Sequence, residues 1–148
     1  MKNIALIAFL ILASITLKAQ DMTKQKMAKI LGKETTILET SERSWQVRLD
    51  QITLVIIIDE NANRMRVISP AAYTKDLKKK DYVTLLEANY HSALDAKYAI
   101  DGEYVWSTYV HPLKELSEEQ FIDALYQVRN LVYTYGGSYT STNLVFGK

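Results

Sequence analysis

The stretch from Trp45 to Pro70, WQVRLDQITLVIIIDENANRMRVISP, sets the terms for the whole chain. Its middle, Ile52 to Ile58, is almost continuously apolar and rich in β-branched residues, so both faces of that strand want cover and it reads as a central strand. Asp50-Gln51 precede it and Asp59-Glu60-Asn61 follow it, and Arg64 to Ile68 runs back as its hairpin partner.

The flanking segments fit an antiparallel sheet with helices. Asp21 or Thr23 caps a short helix with Met27, Ile30 and Leu31 on one side and Gly32 as its left-handed stop. Thr35 to Thr40 has strand composition, Ser41 to Ser44 reads as a turn, and Trp45 to Leu49 alternates apolar and polar residues. The meander ends at Pro70, which cannot donate to a ladder. Ala71 to Lys80 is a connection. Asp81 then caps a second helix whose Tyr82, Leu85, Leu86, Tyr90 and Ala93 share one stripe, with the Asn89 amide on it and in need of partners, most simply a neighbouring loop. Lys97 to Ile100, Asp101-Gly102 and Glu103 to Val110 form a hairpin, Asp-Gly supplying the positive φ angles of a type I′ turn. Ser117-Glu118-Glu119-Gln120 is a capping box. It opens a third helix with Phe121, Ala124, Leu125, Val128, Leu131, Val132 and Tyr135 toward the core, closed by Gly136-Gly137. Leu144-Val145-Phe146 docks or forms a short edge strand. The fold class is α+β, with helices packed on an antiparallel sheet.

Residues 1 to 19 read as a secretory signal peptide: a basic start, the apolar run Ile4 to Ile15, and Leu17-Lys18-Ala19 before a cut at Gln20. The run is shorter than the roughly 20 apolar residues of a spanning helix, so no stable membrane insertion is expected after cleavage. Residues 20 to 148 form one domain, large enough to bury a core without staples. Loss of Lys2 and Lys18 turns 18 basic and 17 acidic residues into 16 and 17, a balance that offers no electrostatic case for nucleic acid. The expected location is periplasmic or secreted. The chain has no cysteine, which excludes disulfides, thiolate metal sites and lipoprotein acylation.

No catalytic constellation stands out. Asp59, Asn61 and Asn63 have the spacing that opens a calcium loop, but Arg64 stands where the loop needs glycine and Pro70 where it needs the bidentate glutamate, so a polar hairpin turn is the better reading. His91 and His111 have no second ligand at metal spacing. Nucleophile-elbow and phosphate-loop motifs are absent. Lys78-Lys79-Lys80, between Asp76 and Asp81, reads as a solvated connection. The aromatic residues say more: among ten tyrosines and two tryptophans, Tyr104, Trp106 and Tyr109 lie on one strand and Trp45 on another. Tyr104 and Trp106 point to one face of it, Val105 and Tyr109 to the other. Three helices gathered on one face would leave the second exposed as an interaction or dimer surface.

Five segments in order, Asn63–Pro70 (NRMRVISP), Leu85–Tyr90 (LLEANY), Ala96–Asp101 (AKYAID), His111–Leu113 (HPL) and Gln127–Leu131 (QVRNL), resemble the YbjN family, which is grouped with the Tir-chaperone-like type III secretion chaperones. The resemblance spans residues 22 to 140. It implies the order α-β-β-β-α-β-β-α, a secretion-chaperone-like fold, binding of peptide segments, commonly as a homodimer, and neither cofactor nor catalysis. Those chaperones act in the cytoplasm without a signal peptide, whereas residues 1 to 19 of this chain read as one.

The expectation is therefore an exported, non-enzymatic binding module that holds an extended protein or peptide segment by edge-strand pairing and apolar pockets, with Trp45, Tyr104, Trp106 and Tyr109 as its contact residues. The alternative is a small-ligand or lipid carrier with an apolar cavity under the second and third helices. An enzyme would need His111 beside a carboxylate in a cleft.

Overall fold

The computed structural model describes residues 22–146; the signal peptide read at residues 1–19 lies outside them. In chain order the elements are α1 (Lys24–Glu34), β1 (Thr36–Thr40), β2 (Ser44–Leu49), β3 (Ile52–Asp59), β4 (Arg64–Tyr73), α2 (Lys79–His91), β5 (Lys97–Asp101), β6 (Tyr104–His111) and α3 (Glu118–Tyr133). The helix, meander, helix, hairpin, helix plan is the one the sequence implies, with Thr36–Thr40 as a separate first strand of the meander. All pairings are antiparallel and the sheet runs β1-β2-β3-β4-β6-β5, so β3 and β4 are interior and β1 and β5 are edges.

Strand parity decides what each residue does. Trp45, Val47 and Leu49 of β2, Leu54, Ile56 and Ile58 of β3, Met65 and Val67 of β4, and Val105 and Tyr109 of β6 are all buried. They form one continuous core with Phe121, Ala124, Leu125, Val128 and Leu131 of α3 and Met27, Ile30 and Leu31 of α1. Helix α3 crosses β3, β4, β5 and β6 and touches α1, while α2 leans on β5. The helices thus gather on one face. The alternate residues, Val55, Ile57, Ile68, Trp106, Thr108 and Val110 among them, are half-buried or exposed on a face that no helix covers.

Local chemistry explains the boundaries, including four that differ from expectation. Thr23 caps α1 by accepting the Lys26 N–H at 3.2 Å, and the helix continues through Gly32, which keeps a helical φ, to end at Glu34. Pro70 does not end β4. It sits at a bulge between Pro70 and Ala72, beyond the last β3 partner, where its missing N–H costs no ladder bond, and pairing with β6 resumes to Tyr73. Helix α2 starts at Lys79, and Asp81 is its third residue, reaching back to accept the Lys78 N–H at 2.7 Å. In the β5–β6 turn Asp101 still pairs with Tyr104, and only Gly102 has positive φ (57°), the pattern of a type II′ turn in place of I′. The Ser117–Gln120 capping box forms as read, with bonds of 2.9 and 3.1 Å.

The calcium-like spacing is a hairpin turn. Asp59 Oδ1 accepts the Ala62 N–H, Asn63 takes a left-handed φ of 52°, and its side-chain amide accepts from the Lys114 N–H and donates to Glu115. Among the described residues no group of three or more His, Asp or Glu could hold a metal ion.

The segment after α3, as far as Phe146, is tied down without forming a strand. Tyr98, on the covered side of β5, donates its hydroxyl to the Leu131 carbonyl at 2.7 Å and meets Tyr135 and Tyr139 edge-on, each at 6.0 Å between ring centroids. Ser141 N–H donates to Ser92 O and Phe146 N–H to His91 O. Burial holds the Tyr98 phenol protonated well above its usual range. The folded-state pKa is raised, so this stability is fully present below the unfolded value of about 10 and is lost as pH rises beyond it. Unfolding free energy, followed by urea titration, should decline above about pH 10, and Tyr98→Phe should make the decline shallower. Equal slopes in the two proteins would assign the alkaline loss to other groups, such as Tyr109 and Tyr135, whose pKa values burial also raises.

Candidate functional site: the open sheet face

The uncovered face is built by β3, β4 and β6. Cross-strand neighbours on it are Val55 and Ile68, Ile57 and Arg66, Arg66 and Val110, Ile68 and Thr108, and Pro70 and Trp106. Ile57 is 39% exposed and Val110 51%, large values for β-branched residues in interior strands. Aromatic rings extend the patch: Tyr73 and Tyr104 stand 4.9 Å apart and Tyr104 and Trp106 5.5 Å apart, with Lys75 Nζ over the Tyr73 ring. Trp106 Nε1 donates to the Asp101 carbonyl at 3.2 Å, which fixes the indole against β5. The hydrogen bond with Tyr73 raises the Tyr104 pKa. Along β6 a groove of about 480 Å³ opens, its lining including Arg66, Ile68, Asp101, Trp106, Thr108 and Val110.

The four aromatic residues singled out in the sequence part company here. Tyr104 and Trp106 stand on the open face. Trp45 (2% exposed) and Tyr109 (6%) point under the helices, because Trp45 pairs with the core residue Ile56 and Tyr109 with the core residue Val67. Neither can touch a partner docked on the open face.

A second exposed apolar surface belongs to α2, and there the sequence stripe is corrected. Only Leu85 and Ala88 of the helix are buried, and Ala93 just beyond it. Tyr82 (40%), Leu86 (69%) and Tyr90 (79%) stand in solvent at four-residue spacing, with Val83 beside them. The helix is anchored by Asn89, whose amide accepts the Tyr98 N–H at 2.7 Å and donates to the Tyr98 carbonyl at 3.0 Å. It bonds the edge strand β5, not a loop, and occupies at that point the place of a neighbouring strand. Between α2 and β5 lies a groove of about 250 Å³ lined by Tyr82, Leu85, Leu86, Asn89 and Ile100, open to solvent.

His111 turns its Nδ1 to the Pro112 carbonyl at 2.8 Å and stacks on Tyr109; among the described residues it makes no ion pair. Sequence reasoning passed over Gln127. It is 1% exposed, and its side-chain oxygen accepts the N–H groups of Asp95 and Ala96 while its amide donates to Asp123. The available signal was its place three residues after Ala124 and four before Leu131, on the helix's apolar stripe.

An antiparallel six-stranded sheet with helices on one face and an apolar, aromatic second face defines a class of scaffold, the α+β fold with one sheet face left bare. The chain is similar to a chain of the HopA1–SchA chaperone–effector complex, with a TM-score of 0.54 and 12% identity over 67% of this chain and 79% of that one. It is similar also to a chain of the ExsC–ExsE complex, with a TM-score of 0.54 and 14% identity over 75% and 84%. At these identities the likeness is one of fold. No protein-family model and no curated protein sequence matches the chain.

Proposed function

We propose that this protein is an exported, non-enzymatic, chaperone-like module of the YbjN type that binds a segment of another protein on its open sheet face, with Tyr104 and Trp106 as contacts. The observation that carries the reading is that face: interior strands normally have both faces covered or one face polar, and here one face is apolar, aromatic and bare. Likeness in fold to a chaperone–effector complex supports it. The test is affinity purification of the tagged protein from its own envelope fraction, with Trp106→Ala as control and intact mass to locate the cleaved start expected at Gln20. Recovery of one or a few proteins, lost in the control, is the expected result. Equal recovery by both proteins removes the open face from the reading, and recovery of only a lipid or small molecule turns it to the carrier alternative.

The second apolar surface supports a homodimer. Tyr82, Leu86 and Tyr90 form a ridge at i, i+4 and i+8, the spacing that interdigitates with an identical ridge across a two-fold axis. Leu86→Glu should convert a dimer to a monomer in sedimentation while leaving thermal unfolding of the protomer nearly unchanged, because the site is exposed. A wild-type protein that sediments as a monomer at micromolar concentration would end this part of the proposal.

A further inference from the structure

On the open face one residue is out of keeping with its surroundings. Arg66 lies in the middle of it, directly across from Ile57 on one side and Val110 on the other, with Ile68 next along its own strand face. Its guanidinium makes no hydrogen bond or ion pair with any described residue. Among the described residues no acid of this face is paired with it: Asp59 accepts from Ala62 within its turn, Glu39 sits on the edge strand β1, and Asp101, which lines the same groove, forms no ion pair with Arg66. Any partner that covers the apolar residues also removes Arg66 from water, and an unpaired guanidinium under an interface is costly unless an anion meets it.

We infer that the open face recognises an extended protein segment in which one carboxylate is set among large apolar residues, the carboxylate pairing with Arg66. Rather than a new site, this names the partner chemistry of the protein-binding reading and rests on that reading. Three observations select this occupant. The groove residues Trp106, Thr108 and Val110 repeat with period two along β6, which matches the side-chain repeat of an extended segment lying along it. The guanidinium favours a planar, bidentate carboxylate. A second copy docked face to face about the centre of the patch would set Arg66 against its own counterpart, so the homodimer is left to α2. A polyanion is less well matched, since the other arginines of this face are placed apart from the apolar groove: Arg64 lies at the hairpin turn, where it donates to the Asn63 carbonyl and stands across from Asp59, and Arg48 lies on β2, two strands away.

The test uses short fluorescent peptides in which alternate positions are Leu and the others Ser, with one central Leu replaced by Glu, Gln or Lys, titrated onto the mature protein and followed by anisotropy. The Glu peptide should bind roughly tenfold or more tighter than the Gln peptide, the range of a charge-assisted bond formed at an interface. Arg66→Gln should erase that preference, and Arg66→Glu should turn it toward the Lys peptide. Arg66 is exposed, so both variants should keep the wild-type melting temperature. If Glu and Gln peptides bind equally and Trp106→Ala abolishes both, the role given to Arg66 is wrong and the protein-binding reading stands. If none of the three peptides binds, this inference falls, and capture from the envelope fraction judges the broader reading on its own.

Discussion

Trp45→Ala should destabilise the fold by about 3–5 kcal/mol, the usual cost of truncating a buried large aromatic to alanine. The indole is 2% exposed and ranks among the largest fully buried side chains, paired with Ile56 beneath the helices. Its removal leaves a cavity that the rigid sheet on one side and the packed helices on the other cannot close. Trp106→Ala is the informative contrast. That indole stands half-buried on the uncovered face, and its loss should cost roughly 1 kcal/mol, in the ordinary range for point mutants, while abolishing partner capture. Urea denaturation of both variants separates the roles. A Trp45→Ala protein with wild-type stability would contradict the burial, and a Trp106→Ala protein as unstable as Trp45→Ala would make Trp106 a structural residue and remove it from the binding surface.

The two tryptophans also show where a linear reading stops. Period-two alternation places Tyr104 and Trp106 together and Tyr109 opposite them, and the structure keeps that parity. Parity within one strand does not say which face of the sheet it addresses. Trp45 joins the Tyr109 side only through the registers of β2 with β3 and of β4 with β6, and register is a tertiary property. Helix α2 fails for a related reason. Tyr82, Leu86 and Tyr90 are periodic, but periodicity identifies an apolar stripe without naming what covers it, and here the inward side holds only Leu85 and Ala88. The capping box at Ser117 and the first cap at Thr23 were legible because their partners lie within one turn. Arg66 was visible as a letter and silent as a site, because its isolation depends on Ile57 and Val110, which reach it from two other strands.

Gln127→Leu should have an effect approaching that of Trp45→Ala, although it keeps an apolar side chain of similar bulk. The Gln127 oxygen accepts from the N–H of Ala96 at 3.0 Å and of Asp95 at 3.2 Å, and Ala96 is fully buried. Leucine offers no acceptor, so the Ala96 amide would be left without a partner away from water, at a cost of about 1–3 kcal/mol, with a further loss from the broken bond to Asp123. The damage should be local before it is global. Ala96 ends the connection between α2 and β5, and the Asn89–Tyr98 pair that anchors α2 lies at the foot of the same segment. Hydrogen exchange should therefore quicken at Ala96 and Tyr98 ahead of the β3 and β4 amides, and a dimer built on the α2 ridge should weaken along with it. Unchanged exchange at Ala96 in a stable Gln127→Leu protein would mean that another acceptor takes the glutamine's place, and the coupling of α3 to the α2 surface would then have to be sought elsewhere, in the Tyr98 hydroxyl bond to Leu131.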